Sequence, residues 1–508
     1  MNGFHIDMNG ALYPKQYLVK WLEELADLNY DTILWEVENG IQWETCPECV
    51  APDAFSKSEF KEILQISRDL GFENIPLFQT IGHAEYVLKN KEYLYLSELS
   101  DNFQQYCPLK DEVKGFLNTW IHEYYEIFGD VKYFHIGADE AYNLGECSDC
   151  KEKATNSSLS KLYIDHINET IKPILEKGSI PIIWADMVLH HFDALDSLDK
   201  RILLFDWNYG KHNKVDTLHI WGKKNVAFNN IPEETMKEFG DYIFPDKNST
   251  PEIFYTADYL ANKGFQVVTC PASSHYGDNI FASRAQLHFD NCFDSIAKSK
   301  QSHLSGFMLT SWTVHMFPWE LQRIFIAIPS FLKENPNGAQ EEYKKWYENK
   351  YFQASLPSFW KAVDLISTPV LGSRTRDTVH NKSNLKIEKE AFSTQLQKAE
   401  TTTESTKLNQ TIKEFEEALS LFQKVRNENS NNTYEVDHWI LATKNLITRS
   451  QGTLQLLGEN QKDNNTILKT SQELKTETEK MYQDKLSPIR RSEIIHWIYD
   501  SFHHALEN

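Results

Sequence analysis

From residue 4 to about residue 333 the chain alternates two hydrophobic rhythms. Short apolar runs at 4–8, 32–37, 74–79, 133–137, 180–184, 202–207, 266–270 and 306–311 have the length and branched or aromatic content of buried strands. Longer stretches with apolar residues at helical spacing lie between them. Leu18, Leu22, Leu25 and Leu28 mark one such stretch, and Phe60, Ile63, Leu64 and Ile66 another, with Ser58 as a candidate cap. Eight strands alternating with helices predict an α/β fold, a (β/α)8 TIM barrel. The stretch 216–259 carries the weakest pattern and has room for an extra strand at 225–228.

Beyond the eighth strand the rhythm changes. Residues 336–375 read as a connecting helical region rich in aromatics near 346–352, and from about 376 Lys, Glu, Gln, Thr and Asn dominate. Leu408, Ile412, Phe415, Leu419, Phe422 and Val425 form one apolar stripe; Trp439, Ile440, Thr443, Leu446 and Ile447 form a second; Ile494, Ile495, Trp497, Ile498 and Phe502 form a third. Three amphipathic stripes predict a C-terminal α-helical bundle domain, able to pack on the barrel or to join copies of the chain as a homo-oligomer. The expected organisation is a catalytic barrel over 1–335, the connecting region over 336–375 and the helical domain over 376–508. The polar stretch 398–406 is expected to be exposed.

Composition narrows the functional classes. With 41% hydrophobic residues a sizeable core can form, and a net charge of −21 argues against a nucleic-acid partner or an anionic membrane surface. No apolar run approaches the roughly 20 residues of a membrane span. The first residues lead directly into a strand, without the charged and apolar regions of a secretion signal, so a cytoplasmic setting is expected. Seven cysteines, an odd number, fit a reducing compartment better than a disulfide framework.

In a parallel barrel the chemistry lies at the C-terminal ends of the strands. The fourth strand runs into His135-Ile136-Gly137-Ala138-Asp139-Glu140, two consecutive carboxylates at a strand end. Buried side by side, two acids repel and one pKa rises, which suits a general acid. Acidic residues at a helix start are the alternative reading. The segment resembles the His-x-Gly-Gly/Ala-Asp-Glu signature of glycoside hydrolase family 20, the β-N-acetylhexosaminidases. Further segments resemble the family in the same order: residues 75–83 ending in Gly82-His83, Trp184-Ala185-Asp186-Met187, and Ser311-Trp312. The His-Ile-Asp start at His5-Ile6-Asp7 and Trp35-Glu36-Val37-Glu38 resemble the hexosaminidase D branch, in which GalNAc is a candidate sugar alongside GlcNAc. The similarity spans about residues 4–330.

The resemblance implies an exo-acting, retaining, substrate-assisted mechanism without a catalytic cofactor. Glu140 would be the general acid and base, and Asp139 would orient the substrate's 2-acetamido group, whose oxygen attacks the anomeric carbon to form an oxazolinium ion. Trp184, Trp207 and Trp312 are candidates for the aromatic box around that group. His83, His135, Asp7 and Tyr209 are candidates for further contacts, with Asp206, His275, Tyr276 and Asp278 as weaker ones. Two positions depart from the family: no Arg follows Asp7, and Val314 stands where an acid often follows the strand-eight Trp, with Glu320 as a substitute. The partner would be a glycan ending in an N-acetylhexosamine. Two alternatives stay open: a conventional two-carboxylate retaining glycosidase using Glu36 or Glu38, and a non-catalytic glycan-binding barrel whose helical domain binds a partner. Separately, Cys46-Pro47-Glu48-Cys49 and Cys147-Ser148-Asp149-Cys150 give four thiols that can hold a structural zinc ion on two loops at the active-site face.

Overall fold

A computed structural model describes residues 1–209, 217–221, 225–246, 251–313, 318–374, 391–397, 401–458 and 463–508. Eight parallel strands form the barrel: β1 (Asn2–Asp7), β2 (Thr32–Glu36), β3 (Glu73–Leu77), β4 (Tyr133–His135), β5 (Ile180–Trp184), β6 (Leu203–Trp207), β7 (Gln266–Cys270) and β8 (Phe307–Ser311). Each pairs with the next, and β1 meets β8 through Asn2↔Phe307, Gly3↔Met308 and Phe4↔Leu309, which closes the sheet. The expected (β/α)8 barrel is therefore present, with all eight strands where the apolar runs predict them.

The strands are buried on both faces, which is why they read as nearly continuous apolar runs. Polar residues occupy alternate positions near the strand ends. On β1, His5 and Asp7 share one face and Phe4 and Ile6 the other. Trp35 of β2 turns toward the surrounding helices, where its ring meets Phe60 and its indole N–H donates to Asn74 Oδ1 at 2.7 Å. The cap of the helix Lys57–Asp69 stands two residues earlier than Ser58. Ser56 caps it, accepting from Glu59 N while Glu59 accepts from Ser56 N, because only this Ser-x-x-Glu spacing closes both bonds. At 225–228 the chain forms only a two-residue bridge, Val226–Ala227 against Thr217–Leu218. The loop after β3 holds a hairpin, Ser97–Leu99 with Asn102–Tyr106, that the hydrophobic pattern does not signal.

The chain divides into two compact units: Met1–Asn9, Trp21–Pro271 and Asp290–Thr310 form the first, and Gly10–Lys20, Ala272–Phe289 and Ser311–Asn508 the second. The second is predominantly helical. Its C-terminal helices Thr401–Glu428, Thr433–Leu456 and Pro488–Glu507 carry the three apolar stripes inward, with Phe422 stacked on Trp439 at 5.7 Å. A further helix, Asn464–Met481, escapes the pattern because Ser471 and Thr478 share its buried face with Ile467 and Leu474. Part of 398–406, and Val314, lie outside the described residues. Among the described residues no helix is long and apolar enough to cross a membrane.

One buried acid organises this unit. Glu435 is fully buried and accepts from Arg323 Nη1 at 3.1 Å, Tyr347 Oη at 2.8 Å and Asn432 Nδ2 at 2.6 Å. Removing one partner of such a pair leaves an uncompensated charge. Glu435→Ala is expected to destabilise the chain by about 3–5 kcal/mol, read as a fall in the urea midpoint, whereas Glu417→Ala on the exposed surface is expected to leave it unchanged.

Candidate active site

The loop after β4 carries the two acids on a backbone that ordinary side chains resist. Gly137, Ala138 and Glu140 have φ of 66°, 78° and 48°, and His83 on the neighbouring loop has 53°. Left-handed conformations at non-glycine residues cost energy and persist only where surroundings enforce them. Here most of the backbone groups are matched. His135 O accepts from Phe78 N, Ile136 N donates to Ile182 O, and Gly137 O accepts from Trp184 N. Thr80 Oγ1 donates to Ile136 O at 2.8 Å, and Tyr163 Oη to Ala138 O at 2.7 Å. Gly137 N donates to His135 Nδ1 at 2.9 Å, and Glu140 N to Asp186 Oδ2 at 3.0 Å. A turn supplied this way stays in one conformation and aims successive side chains in different directions.

That turn buries Asp139 and leaves Glu140 half-exposed, at 8% and 39% of side-chain area. His83 Nε2 lies 3.2 Å from Asp139 Oδ2 and 3.2 Å from Glu140 Oε2, so one imidazole joins both carboxylates. Burial opposes a charge on His83, but Asp139 and Glu140 outweigh it and hold its pKa well above the ordinary value. The Asp139 pKa is raised, first by burial and then by Glu140 and Glu36, while His83 works in the opposite direction. Asp139 Oδ1 is buried and has no hydrogen-bond partner. A buried carboxylate oxygen without a donor is costly, and here it is an acceptor site beside a solvent-reachable acid.

The floor of the site is a polar layer inside the barrel. Glu36 on β2 accepts from Gln79 Nε2 through Oε1 at 3.0 Å and meets His5 Nε2 through Oε2 at 2.9 Å. Burial opposes its ionisation, but His5, Gln79 and His83 bring its pKa below the ordinary value, so it is a fixed negative charge. Burial, with His5 nearby, keeps His135 well below the ordinary imidazole range. Because its Nδ1 accepts from Gly137, neutral His135 carries its proton on Nε2. Trp184 is wholly buried, with ring contacts to His135 at 4.5 Å and Phe205 at 5.7 Å. Asp7 is buried at the end of β1, where its Oδ1 accepts from Asn9 N at 2.8 Å and tightens the loop.

Aromatic residues form one wall. Half-buried Trp207 stacks on Tyr209 at 5.1 Å and meets Trp221 edge-on at 4.4 Å. Tyr142, exposed, points its hydroxyl toward Glu140 Oε1 at 3.5 Å. Asp186 is fully buried and its pKa is raised by burial and by Asp139. Trp221, Tyr142 and Asp186 are absent from the residues picked out by sequence reasoning; Asp186 lies inside the quoted Trp-Ala-Asp-Met segment, which was its only signal. Asp206 turns away from the Trp207 side and accepts from Thr256 Oγ1 at 2.8 Å; burial pushes its pKa up to about 7.

Other candidates belong to the second unit. Trp312 is half-buried and its backbone carbonyl accepts from Ser274 Oγ at 2.9 Å. Glu320 is fully buried, accepting from Tyr17 Oη at 2.9 Å with Lys20 Nζ at 3.5 Å, so this acid is engaged within its own unit. Asp278 is held well below the ordinary carboxylate range: burial opposes this, but His288, at 2.9 Å, and Arg284, at 2.7 Å, prevail. His275 donates its backbone N–H to the same carboxylate, and Tyr276 is exposed.

The cysteines fall into a different grouping from the two motifs. Cys107, which no motif marks, converges with Cys147 and Cys150, with all three sulfurs within 4.8 Å of one another. Cys46 and Cys49 are not part of that group; Cys49 Sγ instead donates to Cys46 O at 2.9 Å.

The chain thus sets a strained acid pair after the fourth strand of a closed parallel barrel. Residues 23–231 match the catalytic-domain model of glycosyl hydrolase family 20. Hexosaminidase D of Bos taurus is 30% identical over 189 residues, covering 36% of this chain and 55% of that protein. Hexosaminidase D of Homo sapiens is 29% identical over 189 residues, with 36% and 39% covered. The chain thus spans about half the length, or less, of the curated relatives it matches. A solved β-N-acetylhexosaminidase shares the fold, with a TM-score of 0.51 at 14% identity over 70% of this chain and 77% of that one.

The close fit between the two loops is testable. A Cβ on Gly82 would overlap the Asp139 carbonyl oxygen, a backbone atom that cannot swing aside. Gly82→Ala is expected to cost about 1–3 kcal/mol of stability and to displace the acid pair, seen as a lowered melting temperature. An unchanged melting temperature would show that the loops have slack.

Proposed function

We propose that the chain is an exo-acting, retaining β-N-acetylhexosaminidase that cleaves terminal β-linked GalNAc or GlcNAc by substrate-assisted catalysis. The observation that carries the reading is Asp139: a buried carboxylate with one oxygen lacking a donor, beside the accessible Glu140. A 2-acetamido N–H is the donor that such an oxygen lacks. Bound there, the acetamido group presents its own oxygen to the anomeric carbon. Glu140 gives its proton to the glycosidic oxygen as that bond breaks, and an oxazolinium ion forms. Asp139 stabilises the positive charge. Glu140, now a carboxylate, takes a proton from water as the water opens the ring, restoring the starting state with retained configuration.

The floor supports this assignment and weakens the conventional alternative. Both oxygens of Glu36 are engaged, by His5 and Gln79, and the residue is 2% exposed, which suits a fixed field rather than a nucleophile. Trp184, Trp207 and Tyr209 would enclose the acetamido group and sugar ring. Asp7, His83 and His135 would hold the site in shape, whereas Glu320, fully buried against Tyr17 and Lys20, is withdrawn from substrate. The catalytic region is the barrel within residues 1–335, and residues 376–508 supply helices for a partner or for a second copy of the chain. The relatives named hexosaminidase D support the hexosaminidase reading.

Glu140→Gln is expected to lower kcat/KM on an aryl N-acetyl-β-hexosaminide by about 10²–10⁴-fold, and Asp139→Asn by about 10²–10³-fold. Wild-type rates in Glu140→Gln would refute the assignment. Comparing gluco- and galacto-configured aryl N-acetyl-β-glycosides reads out which sugar is preferred.

Asp139 must be ionised to accept the N–H, so activity falls as pH drops through its raised pKa. His83 holds that pKa down. His83→Ala is therefore expected to move the acid limb of the kcat/KM profile to higher pH. A limb that stays put or moves lower would contradict the role given to His83.

A further inference from the structure

We propose that Cys107, Cys147 and Cys150 bind one zinc ion through three thiolates, with a solvent molecule completing the tetrahedron, and that this metal staples the loop after β3 to the loop after β4. The geometry of the sulfurs carries the inference. Cys107 Sγ lies 3.6 Å from Cys150 Sγ and 4.0 Å from Cys147 Sγ. Zinc–sulfur bonds of about 2.3 Å in a tetrahedral site set the sulfurs about 3.8 Å apart. A disulfide instead requires about 2.0 Å between two sulfurs, and leaves the third without a role. Cys107 and Cys150 are buried and Cys147 half-buried, so the group is enclosed.

The surroundings match what thiolates need. Cys147 sits at the start of the helix Ser148–Asn156, where its sulfur accepts from Cys150 N at 3.4 Å. Glu98 braces the two loops beside the sulfurs. Its Oε1 accepts from Glu146 N at 2.7 Å and from Cys147 N at 3.3 Å, and its Oε2 from Gln105 Nε2 at 2.7 Å. With both oxygens engaged, the carboxylate fixes the loop that carries Cys147 and Cys150. Three sulfurs form a soft donor set that selects zinc over magnesium or calcium. Binding displaces the thiol protons to solvent, with no change of oxidation state.

The site ties together the segments that matter to the acid pair. Cys107 and Glu98 belong to the loop after β3, which also carries His83; Cys147 and Cys150 follow Asp139 and Glu140 on the loop after β4. The test is zinc content by mass spectrometry of the full chain, purified without chelator and with zinc in the growth medium. One zinc per chain is expected in the wild type and in the Cys46→Ser/Cys49→Ser double variant, and at most a trace in Cys107→Ser and Cys150→Ser. Zinc-free wild type, zinc lost in the Cys46/Cys49 variant, or a Cys107–Cys150 disulfide in peptide maps would each overturn the site. Should the Cys107 variant fail to fold, cobalt(II) added to chelator-treated wild type gives the same answer. A sulfur-to-cobalt charge-transfer band sized for three thiolates supports the site, and its absence overturns it.

Discussion

The site depends on one electrostatic constraint. Two carboxylates on consecutive residues, one of them buried, repel each other, and His83 is placed to counter that repulsion. At 3.2 Å each attraction to a protonated imidazole is on the order of 5 kcal/mol for an effective dielectric of about 20, before the cost of burial is subtracted. Without that cation, burial and the charges of Glu140 and Glu36 would all push a proton onto Asp139. The barrel around the pair keeps the three groups in register. Strained φ values on both loops, a glycine at each close approach and a hydrogen bond for most backbone groups of the turn all serve that end.

The same arrangement separates two jobs on adjacent residues. Asp139 is dry, braced and short of one donor, which fits a fixed acceptor. Glu140 is half-exposed with Tyr142 beside it, which fits a group that trades protons with substrate and water. A floor holding the negative charge of Glu36 favours positive charge above it. Each of these is a local property of a side chain and its neighbours, and together they suit an intermediate that carries positive charge.

Much of this was legible in the chain. All eight strands stand out because a barrel strand buried on both faces is a continuous apolar run, and Asp139-Glu140 stand out because two acids rarely end such a run. The Gly82-His83 pair pointed to the histidine but not to its bridging of both acids, which depends on the left-handed backbone of two loops. Asp186, Tyr163 and Trp221 were harder to find because their roles come from contacts between segments distant in sequence. The cysteines show the same limit: two motifs suggested a four-thiol site, while the fold gathers Cys147 and Cys150 with Cys107, which has no motif. In the helical part, apolar stripes revealed three helices, whereas Asn464–Met481 hid behind the hydroxyl residues on its buried face.

The most direct test of the central claim is inhibition by a thiazoline analogue of the oxazolinium ion, measured on wild type and on Asp139→Ala. Tight competitive inhibition of the wild type, weakened by about 10²-fold or more in the variant, is the predicted result. A wild-type enzyme that hydrolyses the aryl N-acetylhexosaminide yet is indifferent to the thiazoline would contradict it, because the substrate's own acetamido group would then have no part in the reaction.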